Sequence, residues 1–184
     1  MRRRDVLLLA PAALGGCKPN SQLPSLGNIP PFEFKDATGK LWSSSELSGK
    51  IWLVDFFFTN CPGPCPRMSG QLRQILEKFQ KLADFRVVSI SVDPERDTPE
   101  VLNAYAQRFH ADPKRWVFLT GRKDLVQNLM TEAFFLGHAE TLMEHSTRFV
   151  LVDRKMQIRG FYDSFDKDSL EKLNSDIQDL YDRS

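Results

Sequence analysis

The chain has 184 residues, 41% hydrophobic and 27% charged, with 25 Lys and Arg against 24 Asp and Glu. That is the size and make-up of one globular domain with at most a short tail, and it excludes a disordered chain, a collagen-like repeat and a large membrane bundle. A net charge of +1 gives no support to nucleic-acid binding, and three cysteines are too few to staple a small scaffold.

Met1-Arg2-Arg3-Arg4 precedes an apolar run, Val6 to Leu14, that ends in Gly15-Gly16-Cys17. A basic start, a short apolar stretch and small residues before a cleavage point make an export signal. The run is far short of the roughly 18 apolar residues that a spanning helix needs. Pro11 and the glycine pair also argue against the first turn of a soluble helix. Leu14-Gly15-Gly16-Cys17 resembles a bacterial lipobox, in which the cysteine is acylated and becomes the new N-terminus. Arg3-Arg4 leaves twin-arginine export open beside the general route. Residues 1–16 are therefore expected to be a lipoprotein-type signal peptide, with Cys17 as the lipidation site. Residues 17–31, with four prolines and no periodicity, are expected to be a lipid-anchored tether. Cleavage before Cys17 leaves 168 residues and a net charge of −1. The folded domain is expected over 32–184, on the outer side of a bacterial membrane.

From residue 32 the pattern alternates strands and helices. Phe32–Asp36 alternates and meets the turn Thr38-Gly39. Ile51–Phe58 is apolar almost throughout and reads as a strand buried on both faces. A helix follows over 66–83, with Leu72, Ile75, Leu76, Phe79 and Leu82 at helical spacing. Phe85–Val92 is the next strand. Asp97-Thr98-Pro99-Glu100 is a helix-start signal, and that helix runs to Phe109. Trp116–Leu119 is a short strand, and 122–135 a helix. Arg148–Val152 and Gln157–Tyr162 form a hairpin around Asp153–Met156, and a last helix spans 167–182. The order predicts an α/β fold with a central mixed sheet flanked by helices and a C-terminal β-hairpin. A strand feeding a Cys-containing turn and then a helix is the arrangement of thioredoxin-like folds.

The chemistry concentrates in Thr59-Asn60-Cys61-Pro62-Gly63-Pro64-Cys65-Pro66. Two thiols near a helix N-terminus sit in positive potential, which favours the thiolate that attacks disulfides and binds metals. Three prolines stiffen the loop, so little entropy is lost on binding. The CxxxC pair suits both a reversible disulfide and a soft metal ion, and spacing alone does not separate the two. Gly63-Pro64-Cys65 matches the end of the thioredoxin Cys-Gly-Pro-Cys motif, but the first cysteine lies one residue too far away. A peroxiredoxin reading fails in register as well. Of the three histidines, His110 reads as a solvated helix end and His138 as a loop residue. His145 immediately precedes the strand whose loop faces the cysteines in a thioredoxin-like sheet. Two thiolates and an imidazole suit Cu(I) and can also take Cu(II). A structural zinc site wants four protein ligands, and three are convincing. Met143 reads as packing, and Phe134-Phe135-Leu136 as either helix-end core or an apolar rim beside the site.

Three blocks, taken together, resemble the Sco/SenC family of copper proteins: Thr59–Pro66, Ser91-Val92-Asp93-Pro94-Glu95-Arg96-Asp97-Thr98-Pro99-Glu100, and His145-Ser146-Thr147. They come in the family order. The resemblance implies that Cys61, Cys65 and His145 are copper ligands, and Asp93 is read as near the site. It implies a metallochaperone that delivers copper to the dinuclear copper centre of a cytochrome c oxidase subunit during assembly, Cys61 and Cys65 cycling between dithiol and disulfide. Some members look instead like thiol–disulfide reductases that keep the receiving cysteines reduced. Expected partners are the copper-receiving oxidase subunit, other periplasmic copper chaperones or thioredoxin-like reductases, and the membrane surface through the lipid anchor. The domain is expected to act as a monomer.

Overall fold

The computed structural model describes residues 23–137 and 147–183. Along them run β1 (Gly27–Asn28), β2 (Glu33–Asp36), β3 (Leu41–Ser43), β4 (Ile51–Phe57), α1 (Pro64–Lys78), β5 (Phe85–Ser91), α2 (Pro99–Arg108), β6 (Trp116–Thr120), α3 (Lys123–Asn128), β7 (Arg148–Val152), β8 (Gln157–Asp163) and α4 (Lys167–Asp182). All eight strands join one sheet in the order β1-β8-β7-β4-β5-β6-β2-β3. β4, β5 and β6 run parallel, and the other neighbours are antiparallel. This is the expected thioredoxin-like α/β architecture, closed on one side by the hairpin β7–β8.

Every residue of β4 is buried, as its apolar run predicts for a central strand. Ile51, Leu53 and Phe57 face one core with Leu72 of α1, Leu102 of α2 and Leu173 of α4. Trp52, Val54 and Phe56 face the other, under Val126 of α3. Phe134 sits on this second face, its ring 5.4 Å from Phe56 and 6.1 Å from Trp52. The alternation is the period-two pleat of a strand sandwiched between helices.

Several boundaries depart from the sequence reading. α1 begins at Pro64, because a first-turn proline gives up no needed hydrogen bond. It stops at Lys78, although Phe79 and Leu82 stay buried beyond it. The Arg115 guanidinium donates to the carbonyls of Phe79, Gln80 and Leu82, which supplies partners for backbone that leaves the helix. α3 gives way after Asn128 to a π-helical turn, Leu129–Ala133, closed by Phe134 N–H onto the Leu129 carbonyl at 3.1 Å. The wider turn lets Leu129, Met130, Ala133 and Phe134 all reach the core. Phe134 and Leu136 are therefore core, whereas Phe135 is 58% exposed.

Residues 27 and 28, expected in the tether, belong to the sheet. Gly27 and Asn28 pair with Ile158 and Gln157, and Ile29 is buried. Polar and proline residues hide this short edge strand from any periodicity. β3 is similarly too short to read, and pairs with β2.

Candidate metal and redox site

The parallel register brings the functional blocks to one end of the sheet. Phe57, which ends β4, lies beside Ser91, which ends β5, and Val92 N–H donates to the Phe57 carbonyl at 2.8 Å. β7 runs antiparallel to β4, so it starts at this same end. There Ser164 N–H, just past β8, bonds the Thr147 carbonyl at 2.9 Å. Cys61 follows β4 by four residues, and Cys65 is the second residue of α1. His145, the expected third ligand, lies outside the described residues, as do Cys17, His138 and Met143. Thr147, two residues after His145, stands at the cysteine end of the sheet.

Cys61 and Cys65 are both buried, 5% and 0% exposed, and are not joined by a disulfide. The Cys65 backbone N–H lies 3.5 Å from Cys61 Sγ, so the first sulfur sits over the first turn of the helix that carries the second. Burial pushes the Cys65 thiol well above its ordinary value. The neighbouring Cys61 and the Asp55 carboxyl add to this, against a backbone contact with Phe58 that favours the thiolate. The helix N-terminus alone predicted a thiolate, whereas burial holds the Cys65 thiol up. Two soft sulfurs presented together fit Cu(I) chemistry. Among the described residues no group of three His, Cys, Asp or Glu side chains is placed to hold an ion. The third donor of the expected set is His145.

Three buried polar groups lie at or near this end of the sheet. Ser89 Oγ–H donates to Asp55 Oδ1 at 2.5 Å, and Trp116 Nε1–H donates to Ser89 Oγ at 2.9 Å. Ser69 and Tyr105 share a hydroxyl–hydroxyl bond of 3.0 Å. The third group centres on Asp97, whose carboxylate accepts from Thr59 N–H at 3.1 Å, Thr59 Oγ1 at 2.5 Å and Ser91 Oγ at 2.5 Å. Asp93, read as near the site, pairs its carboxylate with Arg96 at 3.4 Å, while its backbone N–H donates to Ser91 Oγ at 3.1 Å. Within that block it is Asp97 that touches the segment leading to Cys61. The sequence reading assigned Asp97 to the helix start. The signal against that assignment is the tandem Asp97-Thr98 before Pro99: a proline in the first turn makes Thr98 the cap and leaves Asp97 surplus.

The SCO1/SenC family profile matches residues 22–182. The chain belongs to the SCO1/SenC family. A SCO1/SenC family lipoprotein from Bacillus anthracis is 30% identical, with a TM-score of 0.75 over 84% of this chain and 95% of that one. BsSco, described as a Sco-family cytochrome c oxidase assembly protein with a disulfide switch, is 28% identical, with a TM-score of 0.75 over 88% of this chain and 98% of its own. The ScoI protein of Arabidopsis thaliana, solved with copper bound, is 26% identical, with a TM-score of 0.69 over 83% and 99% of the two chains. Among the described residues of this SCO1/SenC protein, no helix is long and apolar enough to cross a membrane.

Proposed function

We propose that this SCO1/SenC protein is a copper-binding protein of cytochrome c oxidase assembly that passes copper to the subunit carrying the dinuclear copper centre. The observation that carries this reading is the pair of buried thiols that meet over the first turn of α1, Cys65 N–H against Cys61 Sγ. Copper is the cargo, held by Cys61, Cys65 and His145. Loading displaces the thiol protons, so affinity rises with pH, because the Cys65 thiol is held above its ordinary value. Closing the pair into a disulfide removes both sulfur ligands and releases the ion. In that step the two copper-bound thiolates give two electrons to a partner disulfide, which takes up two protons from solvent and opens to a dithiol. Family membership and the copper-bound relative support the cargo, and the relative with a disulfide switch supports the cycling.

The same thiol pair favours a second reading, a thiol–disulfide reductase acting on the cysteines of the receiving site or of other envelope proteins. The protein works on the outer face of the membrane, held by lipidated Cys17; the likeness to a lipoprotein of the family supports that placement. An anaerobic Cu(I) titration of residues 18–184 against a competing chelator separates the readings. One copper per chain, weakened about tenfold or more in His145→Ala and tightened on going from pH 6 to pH 8, is the expected result. Binding indifferent to His145, with disulfide reduction intact, would put the reductase reading first.

A further inference from the structure

We propose that Asp97 is a positioning residue for the thiol pair, setting the reach of Cys61 toward Cys65 by pinning Thr59 to the end of β5. The inference rests on the reading of Cys61 and Cys65 as a reactive pair. Asp97 is fully buried, and its two oxygens receive three bonds, all from donors. That acceptor-only pattern belongs to a carboxylate, a group whose burial is costly unless it is fully bonded. Starting α2 does not require it, because Thr98 caps that helix and Pro99 fills its first turn. What the carboxylate joins is the segment two residues ahead of Cys61 and the last residue of β5. Val92 N–H already holds Phe57 to β5 from the other side. Cys65, by contrast, is anchored through α1, whose Met68, Leu72 and Ile75 are buried in the core. The spacing of the two sulfurs is thus set by a short loop fixed at one end by a helix and at the other by Asp97. A disulfide needs the sulfurs about 2 Å apart, and a shared ion needs them wider, so the tightness of this fixture sets the balance between the two states.

The test is the exchange equilibrium with glutathione, run on the chain from residue 18. In it the pair gives two electrons and two protons to oxidised glutathione, forms the Cys61–Cys65 bond, and releases two reduced glutathiones. Asp97→Asn and Thr59→Val are each expected to shift the constant about fivefold or more, both in the same direction, because each loosens the same fixture. The double variant should move little beyond the larger single, because both remove one link. A residue that merely stabilises the fold would lower the melting temperature of both redox forms equally and leave the constant unchanged; that result would overturn the inference. Should Asp97→Asn fail to fold, Thr59→Val carries the test, since its backbone N–H keeps its own bond to Asp97. Wild-type protein that closes the disulfide yet binds no copper would sink the copper reading and leave this inference standing, because the exchange with glutathione involves no copper. A wild-type pair that never closes with glutathione would overturn it.

Discussion

Asp55 interrupts an apolar strand and is fully buried between Leu53 and Phe57 on the α1 and α2 side. Its Oδ1 accepts the Ser89 hydroxyl, and its Oδ2 has no hydrogen-bond partner among the described residues. Burial pushes its carboxyl up from 3.8 to about 7, against the pull of the Ser89 bond. Cys65 and Tyr105 feel its charge, and both are held above their ordinary values chiefly by burial. In the unfolded chain Asp55 loses its proton near pH 4, whereas the folded protein keeps it to about pH 7. Its contribution to stability is therefore full below pH 4 and lost as pH rises through 7. Asp55→Asn stays neutral throughout. At pH 8 its free energy of unfolding should exceed that of wild type by on the order of 2 kcal/mol or more, and the gap should close as pH falls to 4. Parallel pH profiles for the two proteins would show that Asp55 does not carry this proton. The sequence marks Asp55 as the polar residue in an apolar run. It does not name Ser89, which sits beside it only through the β4–β5 register.

At the scale of the elements, the start of α2 follows the sequence closely. Thr98 Oγ1 accepts from Val101 N–H at 3.5 Å, Pro99 occupies the first turn, and Glu100 is held below its ordinary value by the Thr98 hydroxyl. Thr98→Ala should cost about 1 kcal/mol in thermal melts of both redox forms. It should leave the glutathione constant unmoved, because the cap serves the helix and the neighbouring Asp97 serves the thiol loop. α2 ends with His110 in the left-handed region, φ 51°, and exposed, in keeping with a solvated helix end. α3 was less legible. Its helical spacing continues to residue 135, but hydrogen bonds switch to the wider π turn after Asn128 because two aromatic and aliphatic rows must reach one core. Periodicity records which residues are apolar and says little about how much turn is needed to bury them all.

At the scale of the whole molecule, the domain begins earlier than its composition suggests. Leu26 N–H and Ile29 N–H bond the Ile158 and Met156 carbonyls at 2.9 and 2.8 Å, and Phe135 lies against Gly27, where a Cβ would come within 2.8 Å of its ring. A chain starting at residue 23 keeps these contacts, and one starting at 32 loses them with the buried Ile29. The shorter chain should be less stable by about 2 kcal/mol or more in urea titration, while the longer one should match a chain starting at 18. Equal stability of all three would mean that β1 adds nothing to the sheet.

The sequence by itself determined the order of the six longer strands and the helices, the buried character of β4, the thiol pair and the family, because each rests on local residue type and spacing. Tertiary structure decided what lies far apart along the chain. It placed Asp97 on Thr59, 38 residues away, and Ser89 on Asp55, 34 residues away. It also set Cys65 in a site where burial holds the thiol above its ordinary value. Hydrogen-bond partners and desolvation depend on which strands become neighbours, and that information is carried by the whole hydrophobic pattern rather than by any one segment.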